Sequence, residues 1–196
     1  MRRKNPHKRE ELLEKCFDCF CEYGLEGTST QKLAEACGMS SGNIFHYFKS
    51  KDEIIIDATA HCMAKVEKDF MEKAPENLED VPRFLREIPY WTAEKHGEKY
   101  RFMYQVYTSP KYRKYGTAFF SGVTRRYTEY AKLLEPKIGI PWQVIQPLIY
   151  TFVRASVHYA LFEDEEYLLP QMRLLEAAVP MFREKYAHTS DENKNK

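Results

Sequence analysis

The sequence has no apolar stretch of membrane-spanning length, and its opening Met1-Arg2-Arg3-Lys4-Asn5-Pro6 carries charge with no apolar segment behind it. A transmembrane helix needs about 20 mostly apolar residues, and a secretory leader needs an apolar core after its charges. No membrane partner and a cytoplasmic location are therefore expected. Net charge is also scarce, +1 from 30 basic and 29 acidic residues, which excludes binding of a polyanion through the charge of the whole molecule. Any such binding must come from clusters, and Arg2, Arg3, Lys4, Lys8 and Arg9 form one, with Lys49 and Lys51 a second. Cysteines are few and odd in number, five at Cys16, Cys19, Cys21, Cys37 and Cys62, a poor disulfide framework. Cys16 and Cys19 would share a helix face, as thiolate ligands or a redox pair do. Reduced thiols used as small apolar side chains are the simpler expectation, and neither a metal nor a cofactor is expected.

Proline is missing from His7 to Ala74, while nine of the ten prolines punctuate the rest. The first third can therefore hold uninterrupted helices, and Gly24, Gly27, Gly38 and Gly42 fall between short apolar-periodic segments, where glycine can end a helix. Leu13, Phe17 and Phe20 repeat at helical spacing and predict a first helix over 9–23, stopped at Gly24. Hydroxyls at 28–30 predict a cap for a second over 31–37, and Ser40 or Ser41 one for a third reaching Phe48. Ser50 then caps a long fourth, whose Ile55, Ala58, Cys62 and Val66 keep one face to about Phe70. Beyond it the pattern predicts helices near 79–90, 94–107, 111–134, 142–162 and 167–186, then a polar, frayed tail over 188–196. No strand pattern competes, so the fold class is all-α. The division expected is 1–50, a three-helix helix-turn-helix module, and 51–187, a helical ligand-binding and dimerisation module joined to it by the long fourth helix.

The stretch 30–45 has two short helical segments around the turn Cys37-Gly38-Met39. That is the layout of a helix-turn-helix. Leu33, Ala34, Met39 and Ile44 would pack the pair and leave Ser41, Asn43 and His46 pointing outward. An asparagine can pair with adenine edges, and basic side chains supply the phosphate attraction that dominates affinity. Double-stranded DNA is the partner these residue types fit.

At this point the sequence resembles the TetR family of bacterial repressors. The resemblance rests on Phe20 and Gly24, Thr28 and Thr30, Leu33-Ala34, Ala36-Cys37-Gly38-Met39-Ser40, Gly42, Ile44-Phe45-His46-Tyr47-Phe48 and Lys51. It implies that Thr30, Tyr47 and Lys51 hold phosphates and that Gln31, Ser41, Gly42, Asn43 and His46 meet base edges or nearby backbone. Phe45 replaces a tyrosine usual in the family, so one phosphate contact is missing, and Cys37 replaces an alanine. The resemblance further implies a homodimeric repressor on a palindromic operator, released by a small-molecule effector. Its pairing helices would be the last two, through Phe152, Ala155, Tyr159, Leu168, Met172, Leu175 and Ala178.

The segment 90–130 is dense in aromatics. Stripes at helical spacing are usually core, but this density also suits a flat aromatic or lipophilic effector. The expected pocket gathers Trp91, Phe102, Tyr104, Gln105, Phe119, Tyr127 and His158. An enzyme is the competing class, with His96, His158 and Glu98 as acid–base candidates. No nucleophile motif or phosphate-cradling glycine loop accompanies them, and no catalytic residue is assigned.

Overall fold

The computed structural model describes residues 6–192, with side chains over 7–186. Among the described residues there are eight helices and no strand. They are α1 (Pro6–Gly27), α2 (Thr30–Ala36), α3 (Ser41–Ile44), α4 (Lys51–Met71), α5 (Val81–Thr108), α6 (Arg113–Ile138), α7 (Trp142–Phe162) and α8 (Glu165–Glu192). No helix among them is long and apolar enough to cross a membrane. The chain forms two compact units, one from the chain up to Asp69 with Glu98–Phe119, the other from Phe70–Gly97 with the chain after Phe119. The units thus do not part near residue 50. Most of α4 joins the first because Ile54, Ile55, Ala58, Cys62, Met63 and Val66, on its apolar face, are all buried.

In the first unit, Leu12, Leu13, Cys16, Phe17 and Phe20 of α1 are buried at helical spacing, each large side chain stabilising by about 1.5–3 kcal/mol. Gly24 interrupts α1 at φ +73°, where a side chain would be strained. Ser29 caps α2 by accepting the Lys32 amide at 3.2 Å, and Gly38 ends it at φ +66°. Phe102, from α5, completes this core, stacked on Phe20 at 5.1 Å and edge-on to Phe17 at 5.5 Å.

In the second unit, Leu85 and Ile88 of α5, Phe152 and Ala155 of α7, and Leu168, Met172 and Leu175 of α8 form one core with Phe70. A smaller one gathers Ala131, Ile140 and Ile145. The sequence predicts two helices where α5 is one, and Pro89 lies inside it. Proline there leaves the Leu85 carbonyl without its usual amide, a cost offset by burial of Leu85 and Ile88 in the turn before it. The turn from α7 to α8 is short: Glu163 takes the left-handed conformation, its amide bonding the Tyr159 carbonyl at 2.8 Å, and Asp164 accepts the Tyr167 amide at 2.9 Å. The predicted frayed tail is helical as far as Glu192, and 193–196 lie outside the described residues.

Candidate nucleic-acid interface and internal cavity

The turn between α2 and α3 is held from inside. Leu33, Ala34, Cys37, Ile44 and Phe48 are buried, as the sequence predicts for the first two and for Ile44, while Met39 is half-buried. The third helix is shorter than predicted. Regular turns stop at Ile44, and the amides of His46 and Tyr47 bond three residues back, to Asn43 and Ile44, the tighter winding common at helix ends. The outer surface carries Ser41, Gly42, Asn43, Phe45 and His46, all exposed, with Tyr47 and Thr30 half-buried beside them. Among the described residues Ser41, Asn43 and His46 make no side-chain hydrogen bond. Phe45 is 46% exposed, so it is not core but an apolar ring on an otherwise polar surface.

The basic side chains divide into engaged and available. Lys51 donates to the Leu25 carbonyl at 3.2 Å, tying α4 to the end of α1. Its ammonium retains two more protons for a phosphate. Arg9, expected within a basic arm, instead clamps α1 to α4: it bonds Glu53 and Asp57 and lies 4.9 Å from the centre of the Phe48 ring. Lys8 is paired with Glu11 at 2.9 Å, and Lys32 caps the Gly27 carbonyl at 3.0 Å over the Tyr23 ring. Gln31 donates to Glu35 at 2.9 Å. Arg2, Arg3 and Lys4 lie outside the described residues. Lys49 stays exposed. Ser50 accepts the Glu53 amide at 3.1 Å, starting α4 as the sequence predicts. Sequence reasoning missed the clamp at the base of α4, where Asp52 accepts both Lys111 Nζ and the Tyr112 hydroxyl at 2.7 Å.

The profile of "Bacterial regulatory proteins, tetR family" matches residues 12–65, which is this module. Residues 12–65 therefore carry a helix-turn-helix module of the TetR-family type. Among its relatives is the HTH-type transcriptional repressor AcnR of Corynebacterium efficiens, 35% identical over 86 residues, which are 44% of each chain. The match thus spans less than half the length of that relative. Beyond the module the likeness is one of fold. A TetR transcription regulator from Haloarcula marismortui superposes with a TM-score of 0.68 at 12% identity, over 91% of this chain and 99% of its own. The regulator FadR from Bacillus subtilis, in complex with stearoyl-CoA, superposes with a TM-score of 0.51 at 15% identity, over 86% and 96%.

The second unit contains an apolar cavity of about 120 Å³. Its wall comes from Phe70 and Met71 at the end of α4, Ala74, Pro75 and Leu78 in the following connection, Val81 and Phe84 of α5, Tyr127 and Leu134 of α6, Ile145 and Leu148 of α7, and Val179 of α8. Of the residues expected to hold an effector, only Tyr127 is there. Phe102 is the core ring of the first unit, Gln105 accepts the Leu25 amide at 3.4 Å, and Phe119 lies 5.3 Å from Tyr107. Tyr104 is half-buried in that same unit. Trp91 stands edge-on to His96 at 5.1 Å, and His158 pairs with Asp164 at 3.1 Å. Aromatic density misled because these rings sit on different helix faces and in both units. The aliphatic run Ile138, Ile140, Ile145, Leu148 and Ile149 was the better signal, for all five line the cavity.

The expected pairing residues also need correction. Phe152, Ala155, Leu168, Met172 and Leu175 are buried within their own chain, and Tyr159 packs on Tyr90 at 5.0 Å; Ala178 is half-buried. The five buried side chains are committed to the core of their own chain, while Tyr159 and Ala178 keep part of their surface. The exposed apolar face of α8 is another one, with Tyr167, Pro170, Leu174, Ala177 and Met181. These recur at alternating three- and four-residue steps, the spacing of a helix-pairing seam. Leu174 is 60% and Met181 67% exposed, as is Phe162 at the end of α7, at 67%.

Proposed function

We propose that this chain is a dimeric transcriptional repressor that grips a palindromic duplex through the helix-turn-helix and lets go when a lipophilic small molecule fills the cavity of the second unit. The observation that carries the reading is the outward set Ser41, Gly42, Asn43 and His46 on a braced turn, flanked by Lys49 and Lys51. Asn43 is the side chain suited to an adenine edge, a contact that discriminates by about 1–3 kcal/mol. Thr30, Tyr47 and Lys51 position the module on phosphates. The stripe from Tyr167 to Met181 offers a self-complementary seam for a second copy, which would set two recognition elements about one DNA turn apart. A cavity walled by aliphatic groups favours a lipophilic occupant. α4 begins at Lys51 beside the turn and ends at Phe70 and Met71 in the cavity wall, so a displacement at its far end moves the element that braces the reading head. A coupling of about 3 kcal/mol weakens the operator complex more than a hundredfold.

Fluorescence anisotropy of a labelled duplex at graded salt tests the binding surface. Affinity is expected to fall linearly on a log–log scale, with a slope of about −0.9 per neutralised phosphate, and Lys51→Ala is expected to flatten the slope by about one phosphate per protomer. A salt-independent affinity, or a slope indifferent to Lys51, contradicts the assignment.

A further inference from the structure

Two surface pockets that differ in charge share wall residues with the cavity of the second unit. Leu78, Val81 and Val179 line both the cavity and a surface pocket of about 210 Å³ that also holds Glu176 and Arg183. Glu176 is already engaged, accepting Arg86 Nη1 at 2.9 Å, so among the described residues Arg183 is the uncompensated charge lining this pocket. On the other side, Ala74, Pro75 and Phe84 line both the cavity and a pocket of about 360 Å³ with Lys73, Arg83, Glu76, Asp80 and Glu87. There Arg83 is held by both Glu87 oxygens at 3.0 Å, and three acids stand against two bases. One pocket therefore favours an anion and the other repels it. Arg183 lies on the opposite side of α8 from the exposed stripe of Leu174 and Met181, so pairing through that stripe leaves the pocket open.

We propose that the molecule received by this unit is an anionic amphiphile of medium chain length, its hydrocarbon tail in the cavity and its oxyanion head at Arg183. The inference rests on the reading of the cavity as an effector site, and adds the ligand's class and orientation. Size follows from volume. A cavity of about 150 Å³ takes up benzene, so the present one holds about five carbons, and the Arg183 pocket adds room for a few more before the head. The tail needs no polar partner, because the cavity wall offers aliphatic side chains and aromatic rings. The head supplies the orientation, since a guanidinium binds carboxylate or phosphate oxygens in a fork.

Isothermal titration calorimetry of the full chain with octanoate, octanol and octylamine, matched in tail and different in head, tests the proposal. Octanoate is expected to bind roughly tenfold more tightly than octanol, and octylamine more weakly than either. Arg183→Gln, a change on the exposed surface, should bring octanoate down to the octanol affinity and leave octanol unchanged, whereas Arg83→Gln at the acidic pocket should leave octanoate unchanged. Equal affinities for octanoate and octanol in the parent, or a loss in Arg83→Gln instead, would overturn the anionic head while leaving a lipophilic effector site in place. If none of the three binds, the effector site and the amphiphile fall together. If octanoate binds as expected but leaves duplex affinity untouched, the ligand assignment holds and release by an effector fails.

Discussion

Cys16 and Cys37 meet in the core of the helix-turn-helix with their sulfurs 3.5 Å apart, and both are buried. Hydrogen bonding to Cys37, then burial, push the Cys16 thiol up, while burial pushes Cys21 and Cys62 up to about 12. Thiols held protonated are poor nucleophiles and poor ligands, and although the hydrogen bond from Cys16 holds the Cys37 thiol down, burial keeps it from reagents, which favours the plain packing role read from the sequence. Among the described residues no group of three or more His, Cys, Asp or Glu side chains is placed to hold a metal. An aromatic disulfide reagent at pH 8 is expected to label the native thiols at least a hundredfold more slowly than free cysteine, and all five rapidly in denaturant; fast native labelling would revive the reading of Cys16 and Cys19 as a redox pair. Asp52 behaves in the opposite sense. Hydrogen bonds from Lys111, then from Tyr112, hold its carboxyl below the ordinary carboxylate range, so its stabilisation is present above the unfolded value and is lost as pH falls through the lower, folded one. Asp52→Asn should therefore lower the melting temperature at pH 7, by a small amount because the side chain is 46% exposed, and the difference should close as the pH falls through the lowered, folded value. A gap that persists unchanged at low pH would show that this clamp acts through something other than charge.

At the scale of elements, the helix starts and stops of the first third were legible because each has a local chemical cause. Ser29 and Ser50 cap where hydroxyls precede apolar repeats, and Gly24 and Gly38 break where a positive φ is needed. The continuity of α5 across Pro89 was not legible, since burial of Leu85 and Ile88 decides it. The exposed apolar face of α8 escaped for a related reason. The helix is apolar on two sides, one through Leu168, Met172 and Leu175, the other through Tyr167, Leu174 and Met181, and periodicity cannot say which belongs to its own chain. The two faces call for opposite outcomes. Leu174→Glu with Met181→Glu is expected to give a folded monomer by light scattering, with an unchanged circular dichroism spectrum. Phe152→Glu buries a charge in a core and is expected to unfold the second unit, costing at least 3 kcal/mol. A dimeric Leu174/Met181 double variant would remove this seam from the account.

At the scale of the molecule, the all-α class and the helix-turn-helix were readable from proline placement, glycine turns and the residues between Phe20 and Lys51. The cavity of the second unit was not, because it is assembled from apolar side chains contributed by several separate segments, a long-range arrangement with no local signature. The same holds for the division into units, since the second half of α5 and the start of α6 join the first unit across a long separation in sequence. The central claim is that the exposed face around Asn43 reads a duplex sequence. Selection of bound duplexes from a random pool, run in parallel with the parent and with Asn43→Ala, Lys51→Ala, addresses it directly. The account predicts enrichment of one palindrome by the parent and its loss in the double variant. The same palindrome enriched by both proteins, or no enrichment by the parent at moderate salt, would contradict it.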